Sequence, residues 1–116
     1  MNQLDILQKI VDHANAWGLD DDGITRVSFT GTAPTIRLKD HEVVLFRRWA
    51  AHLCMPLIAV SAAGTALVVD GQLMCGHRVH VTARVDSAAV RAAGVHGVLT
   101  LGHVDQVAQA GTRVTA

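Results

Sequence analysis

The 116-residue chain contains no tyrosine, only two phenylalanines and two tryptophans, two cysteines, two prolines, and no excess of either charge, with ten Lys+Arg against ten Asp+Glu. Each shortage excludes something. With so few aromatics, the core has to be made from the Val, Leu, Ile and Ala that dominate an apolar half of the chain. Balanced charge argues against sequence-independent binding to nucleic acid or a membrane surface, which draws on a global excess of Lys and Arg. Cys54 and Cys75 lack the dense spacing of a disulfide-stapled secreted domain, so they are expected as buried free thiols in a reducing compartment. Apolar runs are interrupted throughout. Pro56, Ser61, Gly64 and Thr65 break residues 53–69, and Asp5 and Asp12 break the N-terminal stretch, which predicts neither a spanning helix nor a signal peptide, and a soluble cytoplasmic protein without membrane partners.

A chain of this length folds as one domain, residues 1–116, without staples. Leu4, Leu7, Val11 and Ala14 recur at three- and four-residue spacing, which predicts an amphipathic helix over 3–17, capped by Asn2 and ended by Gly18. The run Asp20, Asp21, Asp22, Gly23 reads as a solvated turn. Residues 24–30 and 35–39 alternate apolar and polar side chains around a breaker segment from Gly31 to Pro34, the pattern of a β-hairpin. From Asp40, a plausible N-cap, Leu45, Phe46, Trp49, Ala50 and Leu53 share one helical face, and Pro56 closes the helix; a strand over 43–46 is the competing reading. Residues 57–60, 66–69 and 79–85 are rich in β-branched residues and read as an antiparallel meander, with Asp70-Gly71 as its hairpin turn and Gly76 as a bulge or close approach. In the tail, Asp86 or Ser87 caps a short helix ending at Gly94, 98–101 forms a strand, and 103–110 another helical turn or two, punctuated by Gly97, Gly102 and Gly111. The expected fold is therefore α+β, two-layered, with an antiparallel sheet of about five strands packed by two or three helices.

Charge is uneven along the chain. Residues 1–22 carry Asp5, Asp12, Asp20, Asp21 and Asp22 against Lys9, whereas 23–48 carry Arg26, Arg37, Lys39, Arg47 and Arg48 against Asp40 and Glu42. Arg26, Arg37, Arg47 and Arg48 are the candidate binding residues, for an anion or nucleic acid, although the hairpin offers no aromatic stacking platform beyond Phe29, which alternation sends inward.

Potential metal or thiol chemistry centres on Cys75, His77 and His80, with His52 and Cys54 one helix away. On a strand Cys75 and His77 share a face and His80 points to the other, and His52 and Cys54 would diverge on a helix, so the ligand spacing is poor. No nucleophile elbow, dinucleotide fingerprint or P-loop occurs, and Glu42 is the only glutamate. No catalytic residue and no cofactor are expected, and the balance leans away from an enzyme.

The order of a strand, an Arg-Arg-Trp-Ala-Ala-His-Leu helix, a Met-Pro-Leu exit and a Val-rich hairpin ending in His-Val-His-Val-Thr-Ala resembles small uncharacterised α+β proteins of high-GC actinobacteria and their phages. The resemblance spans residues 35–85 and is reinforced by eight arginines against two lysines, a mark of GC-rich coding. It implies a small accessory protein, phage- or mobile-element-encoded, that acts by binding and carries no known site residues. Three functions follow as expectations: a protein-binding or inhibitory module, acting on another protein or on itself as a homodimer; a nucleic-acid-associated regulator using the basic hairpin and second helix; and a small metal- or thiol-dependent enzyme.

Overall fold

Asn2 accepts the Asp5 N–H at 2.9 Å while the Asp5 carboxylate takes the Asn2 N–H, a reciprocal cap that starts helix α1 (Gln3–Ala16) where the sequence places it. Gly18, at φ +64°, turns the chain out of the helix. A computed structural model describes residues 2–19, 23–29 and 33–115; the acidic run 20–22 and hairpin-loop residues 30–32 lie outside the described residues. The hairpin strands β1 (Ile24–Ser28) and β2 (Thr35–Leu38) pair antiparallel. Helix α2 (Val43–His52) follows, then β3 (Cys54–Val60), β4 (Ala66–Gln72) and β5 (Arg78–Arg84) as the expected meander, then α3 (Ser87–Ala93), β6 (Val98–Leu99) and α4 (Leu101–Thr115).

Among the described residues the class is α+β, with four helices against one open sheet in the order β1-β2-β5-β4-β3-β6. The expectation of about five purely antiparallel strands is corrected on two points. The sheet has six strands, and β2 runs parallel to β5, with Thr35, Ile36 and Arg37 opposite His80, Val81 and Thr82. The physical reason is the crossover. The β1–β2 hairpin and the meander are built locally, and α2 returns the chain over the sheet so that the two pieces meet along β2 and β5. The expected number of helices is exceeded because the tail forms both α3 and α4.

Several local expectations also change. Helix α2 begins at Val43 with Glu42 as an N-cap that makes no side-chain cap bond, and Asp40 sits in the preceding turn, held where the His41 N–H donates to the Arg84 carbonyl at 2.7 Å. Asp70-Gly71 is not a turn; both lie within β4, and the meander turns fall at 61–65 and 73–77 instead. Gly71 is required by a close approach, since a Cβ there would stand 2.8 Å from Leu53 Cβ and 3.3 Å from the Cys54 carbonyl. Gly102 and Gly111 lie inside α4, where the buried positions Val104, Val107 and Ala110 outweigh the poor helix propensity of glycine. Thr100 caps that helix: its hydroxyl accepts the His103 N–H while His103 Nδ1 accepts the Thr100 N–H.

All four helices join one cluster on a single sheet face. Ile10 and Ala14 of α1, Leu45, Phe46 and Trp49 of α2, Val90 of α3, and Val104 and Val107 of α4 meet Ile36, Leu38, Leu67, Val69, Val79 and Val81 from the strands. Trp49 and Phe46 are fully buried. Among the described residues, no helix is long and apolar enough to cross a membrane.

Candidate binding surface

Among the described residues, the helices pack on one face of the sheet and leave the other uncovered. Register fixes what that face shows, because residues paired across neighbouring strands project to the same side. One row runs Val98, Ala59, Val68, Thr82, Arg37, Arg26 from the β6 edge to the β1 edge. The next runs Leu57, Asp70, His80, Thr35, Ser28. The face is therefore graded, apolar at the β3–β6 side and cationic at the β1–β2 side. Between these ends the Asp70 carboxylate contacts Nδ1 of His80, an ion pair whenever the imidazole is protonated.

The apolar end is unusual for a solvated strand. Met55 is 80 % exposed, Leu57 56 % and Val98 69 %. Pairing of β3 with β4 is irregular between Cys54 and Leu57, and within that irregularity Met55 adopts φ +51°, a left-handed conformation that costs a residue with a Cβ roughly 1–2 kcal/mol. A cleft of about 150 Å³ opens beside it, lined by Met55, Leu57, Asp70, Gly71, Gln72 and Arg78. Sequence reasoning missed this end, because an apolar strand run reads as buried. The available signal was Pro56, which within a strand pattern marks an edge or a bulge.

The four candidate arginines do not form one patch. Arg26 and Arg37 face each other across β1 and β2 on the uncovered face, beside Lys39. Arg47 and Arg48 lie in the helix layer on the other side of the sheet: the Arg47 guanidinium pairs with Asp105 at 3.1 Å, binding α2 to α4, and Arg48 donates to the Gly18 carbonyl at 2.8 Å, holding the end of α1. These two serve as ties between helices.

No protein-family model, curated protein or solved structure matches this chain. The surface has to be read from its own chemistry.

Cys75, His77 and His80 are dispersed. Cys75 is exposed in the β4–β5 turn, His77 is half-buried beyond it, and His80 faces Asp70 on the open sheet. Among the described residues, no three His, Cys, Asp or Glu side chains converge as a metal set. Both cysteines are free and exposed, which corrects their expected burial. Cys54 belongs to the irregular start of β3 and Cys75 to a turn, so neither sits under the helix layer.

A second cluster lies between α1 and α2. His13 is 1 % exposed, stacked on Trp49 with ring centroids 5.9 Å apart, and tilted against Trp17, which in turn stacks on His52 at 4.6 Å. Nδ1 of His13 accepts the Met74 N–H, so the proton of the neutral ring resides on Nε2. Burial pushes the His13 pKa down; the His52 backbone opposes this, and the charge of the His52 imidazole adds to it. A concavity of about 310 Å³ between α2, α3 and α4 is lined by Val43, Val44, Val85, Ala89, Val107 and Ala108, with Gly111, His41 and Asp86 as its other lining residues. Asp86 is already committed to capping the Ala88 N–H of α3.

Proposed function

We propose that this chain is a small binding module, without catalytic activity of its own, whose contact surface is the uncovered sheet face and whose partner is a protein. The observation that supports this most directly is the exposure of Met55, Leu57 and Val98 together on one side of that face, with Met55 held in a costly backbone conformation. Exposed apolar groups clustered beside polar ones are what protein partners cover. A partner of matching chemistry is apolar where it meets Leu57 and Val98 and acidic where it meets Arg37 and Arg26. A second copy of the chain is the other candidate, and an accessory role for a small phage- or mobile-element-encoded cytoplasmic protein accords with either.

A nucleic-acid role has less support. The face carries no Phe, Tyr or Trp among its described strand residues, its His80 ring is engaged by Asp70, and the arginines on α2 lie on the opposite side of the sheet from Arg26 and Arg37.

The test is affinity capture from the host with the full chain, a Leu57→Glu/Val98→Glu variant, and a Gln106→Glu control on the exposed side of α4. A protein retained by wild type and control but lost by the sheet-face variant supports the reading. Equal retention by all three, or retention of nothing by a chain that sediments as a monomer, overturns it. Sedimentation as a dimer that the double variant dissociates assigns the partner as a second copy.

A further inference from the structure

Arg26 and Arg37 are directly opposite one another in the antiparallel β1–β2 pair. Like charges at that position repel and destabilise the hairpin. The arrangement is nevertheless fixed. A register irregularity between Ile24 and Arg26 sets β1 against β2, and the Thr25 hydroxyl donates to the Arg37 carbonyl at 3.2 Å. Lys39 follows on the same face as Arg37, and Arg84 ends β5 on that face two residues beyond Thr82, which pairs with Arg37. Among the described residues no carboxylate lies within ion-pair distance of any of these four cations; Asp40 shares the open cleft of about 440 Å³ that Thr25, Arg26, Arg37 and Lys39 line. Four cations gathered at one sheet corner without an ion-pair partner make a local positive potential that attracts an external anion.

We propose that this corner is an oxyanion site that reads a run of carboxylates on an acidic protein segment, with Arg26 and Arg37 as its paired guanidinium forks and Lys39 and Arg84 as flanking charges. The inference rests on the binding-module reading and names the chemistry of the partner. Two planar guanidinium groups side by side suit adjacent carboxylates, each taken by two parallel N–H donors. Carboxylates are favoured over the phosphates of a nucleic acid because the face continues into Val68, Leu57 and Val98, where a protein segment finds apolar contacts, whereas unpaired bases find no Phe, Tyr or Trp there and the His80 ring is engaged by Asp70.

Fluorescence anisotropy with a labelled oligoglutamate peptide at low salt tests it, run beside inorganic phosphate as competitor and a labelled oligonucleotide. The site predicts saturable peptide binding that weakens at least about tenfold in Arg26→Gln/Arg37→Gln and is unaltered by Arg91→Gln, an exposed arginine on α3. Because Arg26 and Arg37 lie on the solvent face and repel one another, the glutamine variant should melt no lower than wild type, and an Arg26→Glu/Arg37→Glu chain should lose the peptide altogether. No peptide binding by wild type, equal binding by the glutamine variant, or preference for the oligonucleotide overturns the proposal. If capture depends on Leu57 and Val98 but not on Arg26 and Arg37, this site fails while the binding-module reading stands; if the peptide binds and capture ignores Leu57 and Val98, the reverse holds.

Discussion

His13 Nδ1 accepts the backbone N–H of Met74 at 3.2 Å, joining the last turns of α1 to the β4–β5 turn across 61 residues of chain. An acceptor at that atom exists only while the imidazole is neutral, since protonation would set one N–H against another. His13 is therefore both an anchor for α1 and a group that folding keeps unprotonated.

This fixes a pH dependence and its sign. The folded-state pKa of His13 is lowered by burial, so the unfolded chain binds the proton more readily. The stabilising contribution is complete above about pH 6.5, the ordinary imidazole value, and is lost progressively as pH falls from there toward the lowered folded value. Urea midpoints measured between pH 8 and pH 5 should fall on the acid side. His13→Gln, whose amide oxygen can accept the same N–H without titrating, should remove the His13 part of that slope. An unchanged slope in the variant would show that another group is responsible.

Gly71 yields a packing prediction. Gly71→Ala places a methyl group 2.8 Å from Leu53 Cβ, and overpacking of this kind costs roughly 1–3 kcal/mol. In a Leu53→Ala background the second neighbour, Leu53 Cδ1 at 3.1 Å, is gone, so the penalty of Gly71→Ala should shrink. A double-mutant cycle on denaturation midpoints measures the coupling; additive effects would show that Leu53 Cδ1 takes no part and leave the strain on Leu53 Cβ and the Cys54 carbonyl.

The thiols provide a check that begins with the wild-type chain. Cys54 and Cys75 are both exposed and free, so the native protein should release two equivalents of thionitrobenzoate from Ellman's reagent without denaturant. Cys75→Ser should release one. Thiols that react only after unfolding would contradict their placement at the β3 start and the β4–β5 turn.

Much of the architecture was legible because its determinants are local. Asn2 marks the start of α1, Asp86 or Ser87 with Gly94 bounds α3, and alternation in 79–85 identifies β5 with Val79, Val81 and Ala83 inward; the structure adds the Asp5 half of the α1 cap and selects Asp86 for α3. The misreadings share a different origin. Asp70-Gly71 carries the local signature of a tight turn, but the glycine is there because Leu53 packs onto it from a distant stretch of sequence. The parallel union of β2 with β5 is likewise invisible in any window, being set by where α2 lets the chain return. For the candidate surface, alternation along 35–39 was enough to put Arg37 and Lys39 on the polar side, whereas Arg47 and Arg48 belong to it in sequence and not in space. Leu57 and Val98 went unnoticed because hydrophobicity reports a preference for burial and is silent on whether anything within the chain provides it.

The single parallel seam between β2 and β5 also sets the order in which the molecule can be completed. A nascent chain leaving the ribosome presents β1, β2 and α2 first, and the hairpin has no neighbour on its inner edge until β3, β4 and finally β5 have emerged. Throughout that interval β2 exposes unsatisfied backbone groups together with Ile36 and Leu38, later fully buried. The N-terminal third of the protein thus depends on residues synthesised last among the strands it needs, and a truncation that removes β5 would leave two separate β-sheets with the hairpin cut off from the meander.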